Sequence, residues 1–202
     1  MTNMMIAKKT LQLLQDFGVR DIALCPGGRN APFVFLLDES EAFEVFSAFD
    51  ERAASFFILG RAQFTSRPTA IITTSGTAVA EVLPAVIEAH YTQTPLVVIS
   101  ADRPGRLRGT GAPQTIEQKN IFSDYVENCV DIEDGWPTPI SWSGRGPLHL
   151  NICFDEPLID APTEKIAIVP QSAMREPFKK PLESPRLESI FFDFIADKKN
   201  PL

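Results

Sequence analysis

Two short runs decide most of what this chain can become. Thr69–Thr74 reads TAIITT and Leu96–Ser100 reads LVVIS. Both are β-branched and apolar without alternation, the pattern of a strand buried on both faces. A helix-length segment separates them. Strands of this kind alternating with helices predict a parallel sheet covered on both sides.

Helical spacing predicts a helix over Met4–Phe17 with Gly18 as its C-cap, and another over Ala31–Leu37. A longer helix is predicted over Glu51–Phe64, with an apolar face at Ala54, Phe57, Ile58 and Ala62. Ser75-Gly76-Thr77 leads into a helix reaching about His90. Ile22–Leu24, Phe43–Phe46, Tyr125–Ile132 and Leu148–Ile152 complete the strands. The expected fold class is α/β in three layers, with a mostly parallel central sheet and helices on both faces. The stretch Glu133–Pro147 is short for a helical crossover between parallel strands, so a reduced helix or a loop is expected there.

Ligands of such sheets bind beyond the carboxyl ends of the strands. Four segments fall there: Pro26–Asn30, Asp50–Arg52, Thr73–Thr77 and Ser100–Pro104. Each has an ordinary structural reading. Asp50 can be a helix N-cap, with Glu51 favoured by the helix dipole. Cys25–Asn30 can be a strand-to-helix turn. Thr74–Thr77 can be an anion or polar-ring site built from backbone N–H groups, or a tight turn. Arg103 can sit in a surface turn or aim its guanidinium at a carboxylate.

Composition narrows the function classes. The chain of 202 residues carries 19 Lys and Arg against 26 Asp and Glu, a net charge of −7, which repels free nucleic acid. Cys25, Cys129 and Cys153 are too few and too scattered for a disulfide framework or a zinc site, and His90 and His149 add no metal cluster. Met1–Asp16 lacks the apolar core of a signal peptide, and no apolar run reaches the length of a membrane span. A reducing cytoplasm is the expected location. The usual Gly-rich phosphate loops and the Ser-hydrolase, zincin and kinase signatures are absent.

From about Asp160 the texture changes. Pro162, Pro170, Pro177, Pro181 and Pro185 mark an extended linker. Ser184-Pro185 then opens a helix carrying Leu187, Ile190, Phe191, Phe194 and Ile195 as an apolar stripe. The expected division is a domain over 1–160, a linker over 161–185, and a helix from 186 that either begins a further domain or folds back.

Taken together and in order, several segments resemble the thiamine-diphosphate enzymes. They are CPGGRNAP (Cys25–Pro32), FDERAASFFILG (Phe49–Gly60), ITTSGTAVAEVLPAVIEA (Ile72–Ala89), SADRP (Ser100–Pro104), GAPQTI (Gly111–Ile116) and HLNICFDEPL (His149–Leu158). Within that superfamily the narrower resemblance is to the menaquinone-pathway 2-succinyl-5-enolpyruvyl-6-hydroxy-3-cyclohexene-1-carboxylate (SEPHCHC) synthases. The resemblance covers Met4–Leu158 and implies an N-terminal pyrimidine-binding domain.

It implies Glu51 as the catalytic carboxylate that bonds N1′ of the cofactor's aminopyrimidine. Pro26, Gly27, Thr73, Gly76 and Thr77 would be the cofactor's other neighbours. Arg29, Asn30, Arg103 and Gln114 would meet the substrates, 2-oxoglutarate and isochorismate. The implied reaction is decarboxylation of the first and transfer of the remaining unit to the second. Gly28 and Asn30 stand where the family usually has serines, and Pro113 where it has asparagine. No metal ligand is expected in this chain. Mg²⁺ and the diphosphate would be held by a Gly-Asp-Gly…Asn motif in a separate C-terminal domain, so the chain alone would be inactive. A homodimer or homotetramer is implied, because such sites form between chains. Two other readings remain: a stand-alone, non-catalytic dimerisation or binding module of the same fold, and a thiamine-diphosphate enzyme for other 2-oxo acids.

Overall fold

The computed structural model describes residues 1–38, 40–137 and 139–160, so the linker expected over 161–185 and the helix expected from 186 lie outside the described residues. The elements are α1 (Asn3–Asp16), β1 (Asp21–Leu24), α2 (Ala31–Asp38), β2 (Glu44–Ser47), α3 (Glu51–Thr65), β3 (Thr69–Thr73), α4 (Thr77–Ala80), α5 (Leu83–Tyr91), β4 (Leu96–Asp102), β5 (Asn128–Ile132) and β6 (Leu148–Cys153). The six strands lie in the order β2-β1-β3-β4-β6-β5. Every neighbouring pair is parallel. This is the three-layer α/β fold expected.

Alternate strand residues face opposite layers. Ile22, Leu24, Ala70, Ile72, Val97, Ile99, Leu150 and Ile152 meet α1 and α2 in one core. Ala23, Ile71, Leu96 and Val98 meet α3, α4 and α5 in the other. Ile71 and Leu150 are both fully buried. Truncating either to alanine costs about 2–5 kcal/mol.

Three details depart from the sequence reading. The helix expected from Thr77 to His90 is two helices, because Pro84 has no N–H to give to Ala80 and the chain makes a turn at Glu81-Val82. Phe57 lies 48% exposed, edge-to-face on Phe46, while Leu59 takes a core position. The strand expected over Tyr125–Ile132 starts only at Asn128, after a 3₁₀ turn over Ser123–Tyr125. Between β5 and β6 the described residues form no helix, which is the loop alternative expected for Glu133–Pro147.

One sheet face is covered differently over β4, β6 and β5. There Ser100, Asp102, Asp131, His149 and Asn151 stand at alternate positions under the irregular segment between β4 and β5. They bond one another. Ser100 Oγ donates to Asn151 Oδ1 at 2.7 Å and sits 2.8 Å from His149 Nε2. Asn151 Nδ2 donates to Asp102 and Asp131 at 3.0 and 2.8 Å. Arg108 bridges the same two carboxylates at 3.0 and 2.7 Å.

Burial pushes the His149 imidazole down to about 3, so it stays neutral. Its Nε2–H then donates to Ser100, and Nδ1, 3.3 Å from Cys129 Sγ, accepts from the thiol. Burial opposes ionisation of Asp131, but hydrogen bonds from Arg108 and Asn151 outweigh it and hold the carboxyl below its ordinary range.

Residue 160 is tied to the head of α1. Asp160 accepts from Asn3 N at 2.6 Å and from Met4 N at 3.2 Å. Asn3 Nδ2 donates to Asp155 O and Pro157 O at 2.6 and 3.0 Å. These bonds explain why Asn3 is buried at the head of a helix. Among the described residues no helix is long and apolar enough to cross a membrane.

Candidate active site

The chain leaves β1 on one side to form β2 and returns on the other to form β3. Such a reversal opens a crevice at the carboxyl ends of β1 and β3. Cys25 extends β1 by donating to Ile72 O at 2.9 Å. Gly27 then passes so close to Thr74 that a Cβ would lie 2.6 Å from the threonine's Cβ, and only glycine permits the approach. Pro26 beside it is exposed.

Asn30 is fully buried. Its Oδ1 accepts from Gly27 N at 2.8 Å and its Nδ2 donates to Cys25 O at 2.9 Å. Both ends of the amide therefore shape the loop. Arg29 donates to Phe154 O at 3.0 Å and pairs with Glu156 at 3.1 Å. Its Nε is buried with no partner among the described residues.

After β2, Asp50 caps α3 by accepting from Ala53 N at 2.7 Å. Glu51, the first helical residue, is half-buried, and its carboxylate has no hydrogen-bond partner among the described residues. It faces the end of β1. Burial first, then the negative charges of Glu51 and Asp50, push the Cys25 thiol up to about 12. That thiol is a neutral wall of the crevice, not a nucleophile.

At the end of β3 the hydroxyls of Thr73 and Thr74 are buried with no partner among the described residues. Gly76 has φ +82°, and a Cβ there would meet Gln114 Cγ at 2.8 Å. Its N–H donates to Gln118 Oε1 at 2.8 Å. The turn therefore does not present the Gly76 N–H to a ligand. Thr77 is exposed at the start of α4.

After β4, Arg103 donates to Ser75 Oγ and to Gln114 O, both at 2.9 Å. Gln114 Nε2 donates to Ser75 O at 2.9 Å. Burial, then the charge of Arg29, weakens the hold of Arg103 on its proton. Two guanidiniums thus repel each other at one rim, an arrangement that an anion would relieve.

The sites named from sequence gather at this edge, although Asn30 faces into its own loop. Thr74 and Ser75, read from sequence only as part of the turn, belong with them, and so does Gln118, which the sequence reading does not name. The signal for Gln118 was the pair of glutamines four residues apart in QTIEQ. A shallow groove of about 640 Å³ opens beside Pro26 and Gly27 towards Phe35 and Ile159. It is lined by neither Glu51 nor the two arginines.

Residues 4–121 match the family model described as "Thiamine pyrophosphate enzyme, N-terminal TPP binding domain". The chain belongs to the thiamine pyrophosphate enzymes.

Curated relatives of this thiamine pyrophosphate enzyme domain carry one printed name, 2-succinyl-5-enolpyruvyl-6-hydroxy-3-cyclohexene-1-carboxylate synthase. The protein of Bdellovibrio bacteriovorus is 50% identical over 187 residues, 92% of this chain and 35% of its own length. That of Corynebacterium diphtheriae is 48% identical over 143 residues, 70% of this chain and 28% of its own. That of an Arthrobacter species is 40% identical over 182 residues, 82% and 30% respectively. The chain thus spans about a third of the length of these relatives.

The crevice suits the aminopyrimidine of thiamine diphosphate on its own chemistry. An unpartnered half-buried carboxylate, two orphaned hydroxyls and a glycine-made close approach meet around one opening. Among the described residues no group of three His, Cys, Asp or Glu side chains is placed to hold a metal ion.

Proposed function

We propose that this chain supplies the aminopyrimidine side of the active site of a SEPHCHC synthase, which decarboxylates 2-oxoglutarate and transfers the remaining unit to isochorismate. The observation that carries this reading is the Glu51 carboxylate, half-buried at the head of α3 and without a partner among the described residues. When bound, thiamine diphosphate supplies the electron sink that decarboxylation of a 2-oxo acid needs. Glu51 would hold and share the proton at N1′ of the aminopyrimidine. Pro26, Gly27, Thr73, Gly76 and Thr77 would form the wall around the ring, with the Thr73 and Thr74 hydroxyls as its open polar partners.

Arg29, Arg103 and Gln114 would receive substrate carboxylates. A guanidinium binds a carboxylate as a fork, and the buried Nε of Arg29 is a donor still without a partner. Asn30 would act one step back, by fixing the loop that carries Arg29. Mg²⁺ and the diphosphate would be held by a separate C-terminal domain. The three cysteines are unpaired, which agrees with a cytoplasmic protein.

A homodimer or homotetramer belongs to the same reading. Ala53, Phe56, Phe57, Gly60 and Phe64 are exposed along one side of α3, with Phe49 just before it. Phe64 and Phe49 are 90% and 95% exposed. An apolar stripe of this kind on the helix that begins with Glu51 supports a second chain closing the site. A monomer by light scattering at high concentration would count against that part.

The central test is Glu51→Gln in the complete enzyme, assayed with thiamine diphosphate, Mg²⁺, 2-oxoglutarate and isochorismate. The variant is expected to lose about 10²–10⁴-fold in kcat. Wild-type turnover by the variant would sink the assignment. Turnover of a different 2-oxo acid, with none on 2-oxoglutarate, would move the protein elsewhere within the family.

A further inference from the structure

The Ser75–Gly76 peptide unit is gripped at both ends. Its carbonyl accepts from Gln114 Nε2 at 2.9 Å, and its N–H donates to Gln118 Oε1 at 2.8 Å. The two glutamines lie on one short segment but differ in environment. Gln118 is fully buried. Its Nε2 donates to Ala101 O at 3.2 Å and to Asn151 Oδ1 at 3.0 Å. With its amino group facing two acceptors, only Oε1 of Gln118 can face Gly76. Gln114 is exposed, and its Nε2 makes the single bond to Ser75 O.

The peptide between them is one that the backbone alone would hold loosely. Rotating its plane changes ψ of Ser75 and φ of Gly76, and glycine tolerates either sign of φ. Rotation would bring the Ser75 carbonyl against Gln118 Oε1, acceptor against acceptor. Loss of Gln118 removes that barrier. It also frees Ser75, whose Oγ accepts from Arg103.

We propose that Gln118 is a positioning residue that fixes the plane of the Ser75–Gly76 peptide, so that Gln114 can leave Ser75 and turn its amide to a ligand carboxylate while the turn keeps its shape. This rests on the function proposed above only for what Gln114 meets. The clamp itself is a property of the ligand-free chain.

The experiment is site-resolved amide hydrogen exchange on the ¹⁵N-labelled full chain, comparing wild type, Gln118→Ala and Gln114→Ala. The Gly76 amide is expected to be protected in the wild type. In Gln118→Ala its exchange rises about ten-fold or more, while Ile71 and Ile99 in β3 and β4 keep their rates. In Gln114→Ala, an exposed substitution, Gly76 stays within about two-fold of the wild type. The proposal is overturned if Gly76 keeps its protection in folded Gln118→Ala, or if Ile71 and Ile99 accelerate by the same factor. It is equally overturned if Gly76 loses protection when Gln114 alone is removed, a result readable even where Gln118→Ala fails to fold. Because no ligand is present, failure here leaves the Glu51 assay intact, and failure of that assay leaves the clamp intact.

Discussion

The two halves of the sheet treat polar groups in opposite ways. At the carboxyl ends of β1 and β3 several are left open: the Glu51 carboxylate, the Thr73 and Thr74 hydroxyls and Arg29 Nε have no protein partner among the described residues. Under β4, β6 and β5 they are closed on one another, with Arg108 Nε alone unmatched among the buried side-chain atoms of the described residues there. Burying a polar group without a bond costs about 1–3 kcal/mol. A cluster of such groups at one opening is therefore a place kept ready for something else. The closed half is scaffold, and Gln118 is where the two meet.

The contrast can be broken at several points. Glu51→Gln carries the largest expected effect, the loss of turnover given above, yet its melting temperature should stay at the wild-type value. A large drop on melting would show that Glu51 supports the fold instead. In the closed half, Asn151→Ala leaves two carboxylates, Ser100 and Gln118 short of a bond. Urea unfolding should find it destabilised by about 3 kcal/mol.

Acid should act on the closed half as well. The folded imidazole of His149 resists protonation down to about 3, whereas the unfolded one takes a proton near 6.5. The unfolded state then binds more protons, so stability falls as the pH drops below about 6.5 and levels off near 3. The loss from this residue is about 2 kcal/mol between pH 7 and pH 5. Asp131, held below its ordinary range, adds a further loss at lower pH. Unfolding curves at the two pH values for wild type and His149→Gln check the first part, since the variant should lack it.

The open half should respond with the opposite sign. Thr73→Val removes a buried hydroxyl that has no partner and keeps the strand's shape. It is expected to raise stability by about 1 kcal/mol while weakening cofactor binding in the complete enzyme. A destabilised variant would mean that the hydroxyl is bonded after all. Smallest is Glu156→Gln, because the carboxylate is 65% exposed where it meets Arg29. Its effect on stability should stay within about 0.5 kcal/mol.

The scaffold was largely legible because continuous apolar runs such as TAIITT and LVVIS admit one reading. Pro84 was legible too, but its effect inside a strong helical pattern was overlooked. The open half was found through Pro26–Asn30, Glu51 and Arg103, whose loops follow apolar strands. The closed half announces itself only as alternation, as in His149, Asn151 and Cys153 between Leu148, Leu150 and Ile152. That pattern ordinarily marks a wet sheet face. Here an irregular segment covers it, and nothing local in the sequence tells water from a buried network. The loop role of Asn30 is hidden for a related reason: its type suits a ligand contact, and only the path of the loop shows that its amide bonds Gly27 N and Cys25 O.

The 2.6 Å hydrogen bond from Asn3 N to Asp160 Oδ2 places the two ends of residues 1–160 side by side. Such a domain can be circularly permuted. A few flexible residues could join its ends, and new termini could open at the exposed Thr92-Gln93 turn between α5 and β4, at the opposite end of the strands from the crevice. The same tether means that tension applied at residue 160 is taken up first by the head of α1.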